Sequence, residues 1–193
     1  MTADEATLDL LLRKARSHGE FEDRPVPDEL LHAAHDLMKW GPTTANSQPM
    51  RVLYLRSQEA REKLRPALSP VNAAKTMKAP MVAIVAYDTK FWEHLPRLYH
   101  NPDAINWYNK PPVAEIHGFR NGSLQGAYLI LALRAVGLDC GAMSGFDNAK
   151  VDAAFFPDGR WKSNFLLNLG YGDPSKLYPR NPRLSFEEAC SVV

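Results

Sequence analysis

Two cysteines among 193 residues, Cys140 and Cys190, form no CxxC or CxxH pattern. That excludes a disulfide framework and a cysteine-rich zinc site, and a reducing, cytoplasmic setting is the expectation. An excess of one charge is lacking too. The net charge is +1, so nothing in the balance draws the chain to nucleic acid or to an anionic membrane. Long hydrophobic runs are absent: the longest, 81–87 and 128–133, fall far short of the roughly 20 residues a bilayer crossing needs. The acidic start Met1-Thr2-Ala3-Asp4-Glu5 has neither the basic flank nor the apolar stretch of a secretory signal. The sequence also has no GxxxxGK[ST] and no GxSxG elbow. Gly170-Tyr171-Gly172 runs into Asp173-Pro174 without the third glycine of a dinucleotide fingerprint. Any phosphate is therefore held by side chains.

What is present reads as an ordinary globular chain, 45% hydrophobic and 23% charged, long enough for one domain over 1–193. A first helix is expected over 3–14, with Thr2 and Glu5 at capping-box spacing and Leu8, Leu11, Leu12 and Ala15 on one face. Pro27, Asp28 and Glu29 suit the start of a second helix, with a buried stripe of Leu30, Ala34, Leu37 and Met38 and a stop at Gly41-Pro42. A strand over 50–56, helices over 58–65 and 71–78, and a buried central strand over 80–87 follow. Between 88 and 112, Phe91, Trp92, Tyr99, Trp107 and Tyr108 mix with prolines and charges, which predicts an irregular excursion or lid. The longest helix is expected over 113–136. Its Gly118, Gly122 and Gly126, four residues apart, allow a close approach, either of another helix across a subunit interface or in internal packing. A short strand, a helix over 149–155 opened by Ser144-Gly145, a strand over 165–171 and a proline-rich tail with a helix over 186–190 complete an α+β pattern with a central sheet.

The most informative stretch is Lys39-Trp40-Gly41-Pro42-Thr43-Thr44-Ala45-Asn46-Ser47-Gln48-Pro49. A helix runs into it, and small or polar residues between two prolines offer hydroxyls and amides to a flat ligand rich in hydrogen-bonding sites. Arg16-Ser17-His18, at a helix end, is either an anion clamp, with Arg180 and Arg183 as further candidates, or a complement to the helix dipole. Asn72 and Lys75, three apart on a short helix, share one side. They either bind the polar edge of a heterocycle or are merely solvated. Ser144-Gly145 would present unpaired amides at a helix start. His32 and His35 stand one turn apart beside Asp36, without the companion ligands a metal site needs.

Taken together and in this order, Arg16-Ser17-His18 before Phe21, the 41–49 loop, Asn72 with Lys75, Ser144-Gly145-Phe146-Asp147, Gly170-Tyr171-Gly172 and the tail with Arg180 and Arg183 resemble the nitroreductase-like flavoprotein family. Trp40-Gly41-Pro42-Thr43, Met143-Ser144-Gly145-Phe146-Asp147, 173–177 and 182–189 are most similar to its malonic semialdehyde reductase and NADH dehydrogenase/NAD(P)H nitroreductase subgroup. The resemblance implies a central, mostly antiparallel sheet flanked by helices, in an intertwined homodimer with two FMN sites lined by both chains. Arg16, Ser17 and His18, with Arg180 and Arg183, would hold the phosphate and pyrimidine side. Thr43, Thr44 and Asn46 would approach from the other subunit, Asn72 and Lys75 would face the pyrimidine edge, and the amides of Ser144 and Gly145 would lie near flavin N5. Pro42 and Met143 complete the implied cofactor-binding set, and no metal is implied. A cation near N1 and O2 would stabilise reduced flavin. NADH or NADPH would reduce the flavin and leave, and an aldehyde such as 3-oxopropanoate, a nitro compound or a quinone would take its place, with solvent as the proton source. Two departures stand out: His18-Gly19-Glu20 where members often have a base, and Ser144 where many have glutamate. Two other classes compete. One is a protein that stores or modifies flavin without NAD(P)H turnover; the other is a metal-dependent hydrolase built on His32 and His35.

Overall fold

The computed structural model describes residues 2–193. Helix α1, Glu5–Leu8, is capped by the Asp4 carboxylate, which accepts from the Thr7 amide at 2.7 Å. The expected Thr2 capping box does not form, because Asp4 takes the N-cap position and its carboxylate binds the Thr7 amide. The chain then widens into a π-helical turn, Asp9–Arg13, braced by ion pairs from Arg13 to Asp9 (2.9 Å) and Glu5 (2.6 Å).

Helix α2, Asp28–Met38, starts after Pro27 and ends at the Lys39 C-cap. Leu30, Leu31, Ala34 and Met38 join the core, but Leu37 is 52% exposed. The apolar stripe is therefore rotated from the expected one, with Leu31 in place of Leu37.

Strand β1, Met50–Leu55, leads to α3, Gln58–Leu64, and α4, Pro70–Lys78. Strand β2, Met81–Asp88, is buried along its whole length, as a continuous apolar run requires when both sheet faces are covered. The excursion that follows folds into a 3-10 turn Phe91–His94, the single-turn helices α5, Leu95–Leu98, and α6, Ile105–Tyr108, and a small core of Phe91, Leu95, Ala104 and Tyr108. Helix α7, Pro111–Ala135, precedes β3, Asp139–Met143; α8, Asn148–Phe155, precedes β4, Trp161–Gly170; and α9, Phe186–Ala189, carries a Ser185/Glu188 capping box.

The four strands pair antiparallel in the order β1-β2-β4-β3. Side chains alternate between the faces. Ala83, Val85, Leu167 and Leu169 meet α2 and α7 on one face, while Val82, Ile84 and Leu166 meet Leu64 of α3 and Val151 of α8 on the other. This is the expected α+β architecture. The glycine stripe of α7 settles as internal packing. Gly118 and Gly122 lie against Tyr87 and Gly126 lies against Phe165, so a Cβ on Gly126 would sit 2.4 Å from the Phe165 ring. The partners are sheet aromatics, not a second helix.

Candidate functional site

One group of candidate residues gathers along the outer edge of β3. Ser17 forms a parallel bridge with Cys140, and the His18 amide donates to the Cys140 carbonyl at 3.1 Å. Gly141 makes this possible, since a Cβ there would lie 2.1 Å from the His18 carbonyl oxygen. The Arg16 guanidinium donates to the Tyr178 carbonyl, and Arg180 returns the contact to the Ala15 carbonyl at 2.9 Å. Two cations are thus fixed at one place by a reciprocal clasp. Arg183 is not part of it; its guanidinium donates to the neighbouring carbonyls of Asn181 and Pro182 on the exposed tail. The His18 imidazole turns inward, packed under Gly172 with Nε2 3.5 Å from Asp139 Oδ1 and a buried Nδ1 that has no partner.

At the far end of β3, the buried Asn72 donates Nδ2 to the Gly145 carbonyl at 2.9 Å, and the Ser69 amide donates to the same oxygen at 3.2 Å. Gly145 allows the contact, because a Cβ would lie 2.5 Å from Asn72 Nδ2. Lys75 follows on α4, half-buried, with no ion pair among the described residues. Met143 is buried and accepts a weak contact from Thr76 Oγ1 at 3.6 Å. The expectation that Ser144-Gly145 opens a helix is corrected. Helix α8 begins at Asn148 behind the Asp147 N-cap, whose carboxylate accepts from the Lys150 amide. Ser144 and Gly145 form a loop between strand and cap, and their amides donate to no acceptor among the described residues. From Cys140 to Met143 the strand itself runs about 10 Å at ~3.3 Å per residue.

The second group is the loop after α2. Ala45, Asn46 and Gln48 all hold left-handed backbone, at φ 49°, 49° and 42°. Each such non-glycine residue costs about 1–3 kcal/mol and persists only where its surroundings enforce it. The enforcement is visible. Asn121 of α7 accepts from the Thr44 amide at 2.8 Å, Thr43 Oγ1 accepts from the Gln48 amide at 3.2 Å, and Asn46 donates to the Leu98 carbonyl at 2.9 Å. Tyr128 donates its hydroxyl to the Pro42 carbonyl, and Ala45 packs on the small aromatic core of the excursion. Gln125 Oε1 accepts from the Met50 amide at 2.9 Å where β1 begins.

The two groups stand on opposite edges of the sheet. Three strand spacings separate β3 from β1, about 14 Å at ~4.8 Å each. Register adds a second displacement for the Arg16–His18 end: Cys140 is level with Leu169 and Met81, while Met50 is level with Tyr87, six residues on. That amounts to about 20 Å along the strands. One chain brings Arg16, Ser17, Arg180, Asn72, Lys75, Ser144 and Gly145 to one edge, and leaves Pro42, Thr43, Thr44 and Asn46 at the other.

His32 and His35 recruit no third ligand, and no group of three or more metal-binding side chains exists among the described residues. They line a cavity of about 730 Å³ between α2 and the outer edge of β1, with Tyr54 and Gln125. Burial pushes the Tyr54 hydroxyl up to about 12 and the Cys140 thiol up to about 11, so neither ionises near neutrality. No helix among the described residues is long and apolar enough to cross a membrane.

Sequence reading missed Asn121 and Gln125, the buried amides one turn apart that seat the loop and the start of β1. Their signal was present, as two amides at i, i+4 beside a glycine stripe. It also missed Asp88 and Arg51, whose pairing depends on the β1–β2 register and leaves no local trace.

The fold is that of a family of oxidoreductases. The chain belongs to the Nitroreductase family, which matches residues 12–171. It is 54% identical over 194 residues to a protein of Ralstonia nicotianae called "Putative NADH dehydrogenase/NAD(P)H nitroreductase", covering 100% of this chain and 99% of that one. A protein of the same name from Xanthomonas oryzae is 57% identical over 186 residues, with 96% and 95% covered. Among solved structures, a "putative nitroreductase in complex with FMN" from Exiguobacterium sibiricum superposes with a TM-score of 0.87 at 20% identity, covering 100% and 99%. A "putative nitroreductase ydfN" from Bacillus subtilis gives 0.84 at 20% identity, covering 98% and 100%. These two structures speak to the fold.

Proposed function

We propose that the chain is an FMN-dependent NAD(P)H oxidoreductase that works as a homodimer, passing hydride to a small electrophile such as 3-oxopropanoate, a nitro compound or a quinone. The names of its relatives, and the FMN bound by one structural neighbour, support the class. The observation that carries the dimer is the separation of the two candidate groups on opposite sheet edges, which a second copy brings together.

The residues present fit FMN. Arg16 and Arg180 supply fixed donors for a phosphate, in the forked geometry that such groups prefer. The ammonium of Lys75, in no ion pair among the described residues and beside the buried Asn72, suits the electron-rich pyrimidine edge. The free amides of Ser144 and Gly145 would orient the ring's hydride-carrying edge, held in place by the Asn72 and Ser69 bonds to the Gly145 carbonyl. Thr43, Thr44 and Asn46 of the second copy would close the site and exclude water. When bound, FMN supplies the hydride exchange. The inward turn of His18 gives it a supporting place beneath the Arg16–Ser17 backbone, between Gly172 and Asp139.

An absorption spectrum of purified protein before and after anaerobic NADH tests this reading. Yellow protein that bleaches is expected. Protein that is colourless and takes up no added FMN overturns the proposal, and bound FMN that never bleaches favours storage or modification of flavin. Steady-state rates on 3-oxopropanoate and on a nitroaromatic then rank the electrophiles.

A further inference from the structure

The strained 43–48 loop ends on a buried charge that nothing so far explains. Asp88, the last residue of β2, is 2% exposed. Its Oδ2 accepts from Arg51 Nη2 at 2.8 Å and from Arg160 Nη2 at 3.1 Å. Its Oδ1 accepts from Arg160 Nε at 2.7 Å and from the Lys90 amide at 2.8 Å, and His94 Nε2 stands 3.6 Å from Oδ2. Burial alone would raise this carboxyl, but the Arg160 and Lys90 hydrogen bonds and the charges of Arg51 and Arg160 outweigh it and hold it below the usual range.

The useful part of the network is what Arg51 does with its other nitrogen. Nη1 donates to the Gln48 carbonyl at 3.1 Å and to the Met50 carbonyl at 2.8 Å. Gln48 is the last left-handed residue of the loop, and its side chain donates to Asn46 Oδ1 at 2.9 Å. A line of contacts therefore runs from Asp88 through Arg51 to Gln48 and Asn46. The Asp88 amide also donates to the Pro49 carbonyl at 2.9 Å, so the carboxylate residue grips the loop's end by backbone as well. The guanidinium serves the carboxylate from Nη2 and the two carbonyls from Nη1, whereas a lysine ammonium would have to meet all three acceptors from a single nitrogen.

We propose that Asp88 and Arg51 are positioning residues that hold the 43–48 loop in its strained form, and so set the affinity of the flavin bound by the partner subunit. This rests on the dimeric flavin reading above. Arg51 touches no flavin in this scheme, so its effect is exerted in trans through Gln48 and Asn46.

The test uses Arg51→Lys, which keeps the charge for Asp88 and loses the fork, with Asp88→Asn as a second variant. FMN affinity in Arg51→Lys is expected to fall about tenfold, a change of about 1.4 kcal/mol, with the circular-dichroism melt of a folded protein retained. The decisive arm is a mixed dimer, co-expressed with two affinity tags, pairing an Arg51→Lys chain with an Arg16→Ala chain. Action in trans puts both lesions in one site and leaves the other intact, so half of the flavin sites should bind with wild-type affinity. Two weakened sites, with none of wild-type affinity, would overturn action in trans. Wild-type affinity in Arg51→Lys and in every folded Asp88→Asn preparation would overturn the positioning role. A wild-type protein that binds no FMN would instead remove the reading on which the inference rests, and the inference with it.

Discussion

Arg16 and Arg180 each commit one N–H to the other segment's main chain, which fixes both guanidiniums before any ligand arrives. Preorganised donors of this kind lose little conformational entropy on binding. Replacing Arg16 by alanine should therefore weaken FMN binding by roughly 1.5–3 kcal/mol, the usual worth of a hydrogen bond to a charged group. Fluorescence titration of the apoprotein measures it, and unchanged affinity would remove Arg16 from the phosphate site. At this scale the sequence was legible where chemistry and local spacing coincide. Asn72 and Lys75 sit on one short helix as their three-residue spacing requires. Arg183 shows the limit: a basic residue three positions from Arg180 carries no sign of whether the chain turns it toward the site or leaves it on the tail. His18 shows another, because the cavity that receives its ring is made by Gly172, 154 positions away in the sequence.

Elements with one strong local cause appeared where their patterns placed them. Strand β2 is a continuous apolar run, and α4 has proline in its first turn and lysines in its last. Helix α8 lies where it was expected, but its opening was misread because Ser144 and Gly145 look like a cap, whereas Asp147 makes the stronger one with its carboxylate. The glycines of α7 could not be assigned from sequence, since their partners come from β2 and β4. Their role now predicts a cost. Gly126→Ala forces a methyl into the Phe165 ring, and overpacking of this kind destabilises by about 1–3 kcal/mol. The gain in helix propensity offsets at most about 1 kcal/mol. Urea unfolding should show a lower midpoint with an unchanged slope; a midpoint at or above the wild-type value would mean that the ring moves aside freely.

On the scale of the whole molecule, strand order governs what one chain does alone. The sequence carried both groups of candidate residues, yet their placement on opposite edges follows from the antiparallel order β1-β2-β4-β3, which no local pattern encodes. Dilution should therefore release flavin and separate the subunits together, and sedimentation monitored at the flavin absorbance checks this. A monomer that keeps its flavin would refute the proposed dimer. The same order bears on how assembly ends. In the proposed dimer a single two-fold rotation lays each chain's loop against the other's Arg16 edge, so the contact is self-complementary and both surfaces are used up at once. A pair made this way is closed. It offers no leftover half-site to recruit a third chain, and it limits growth to two subunits without a separate device against polymerisation.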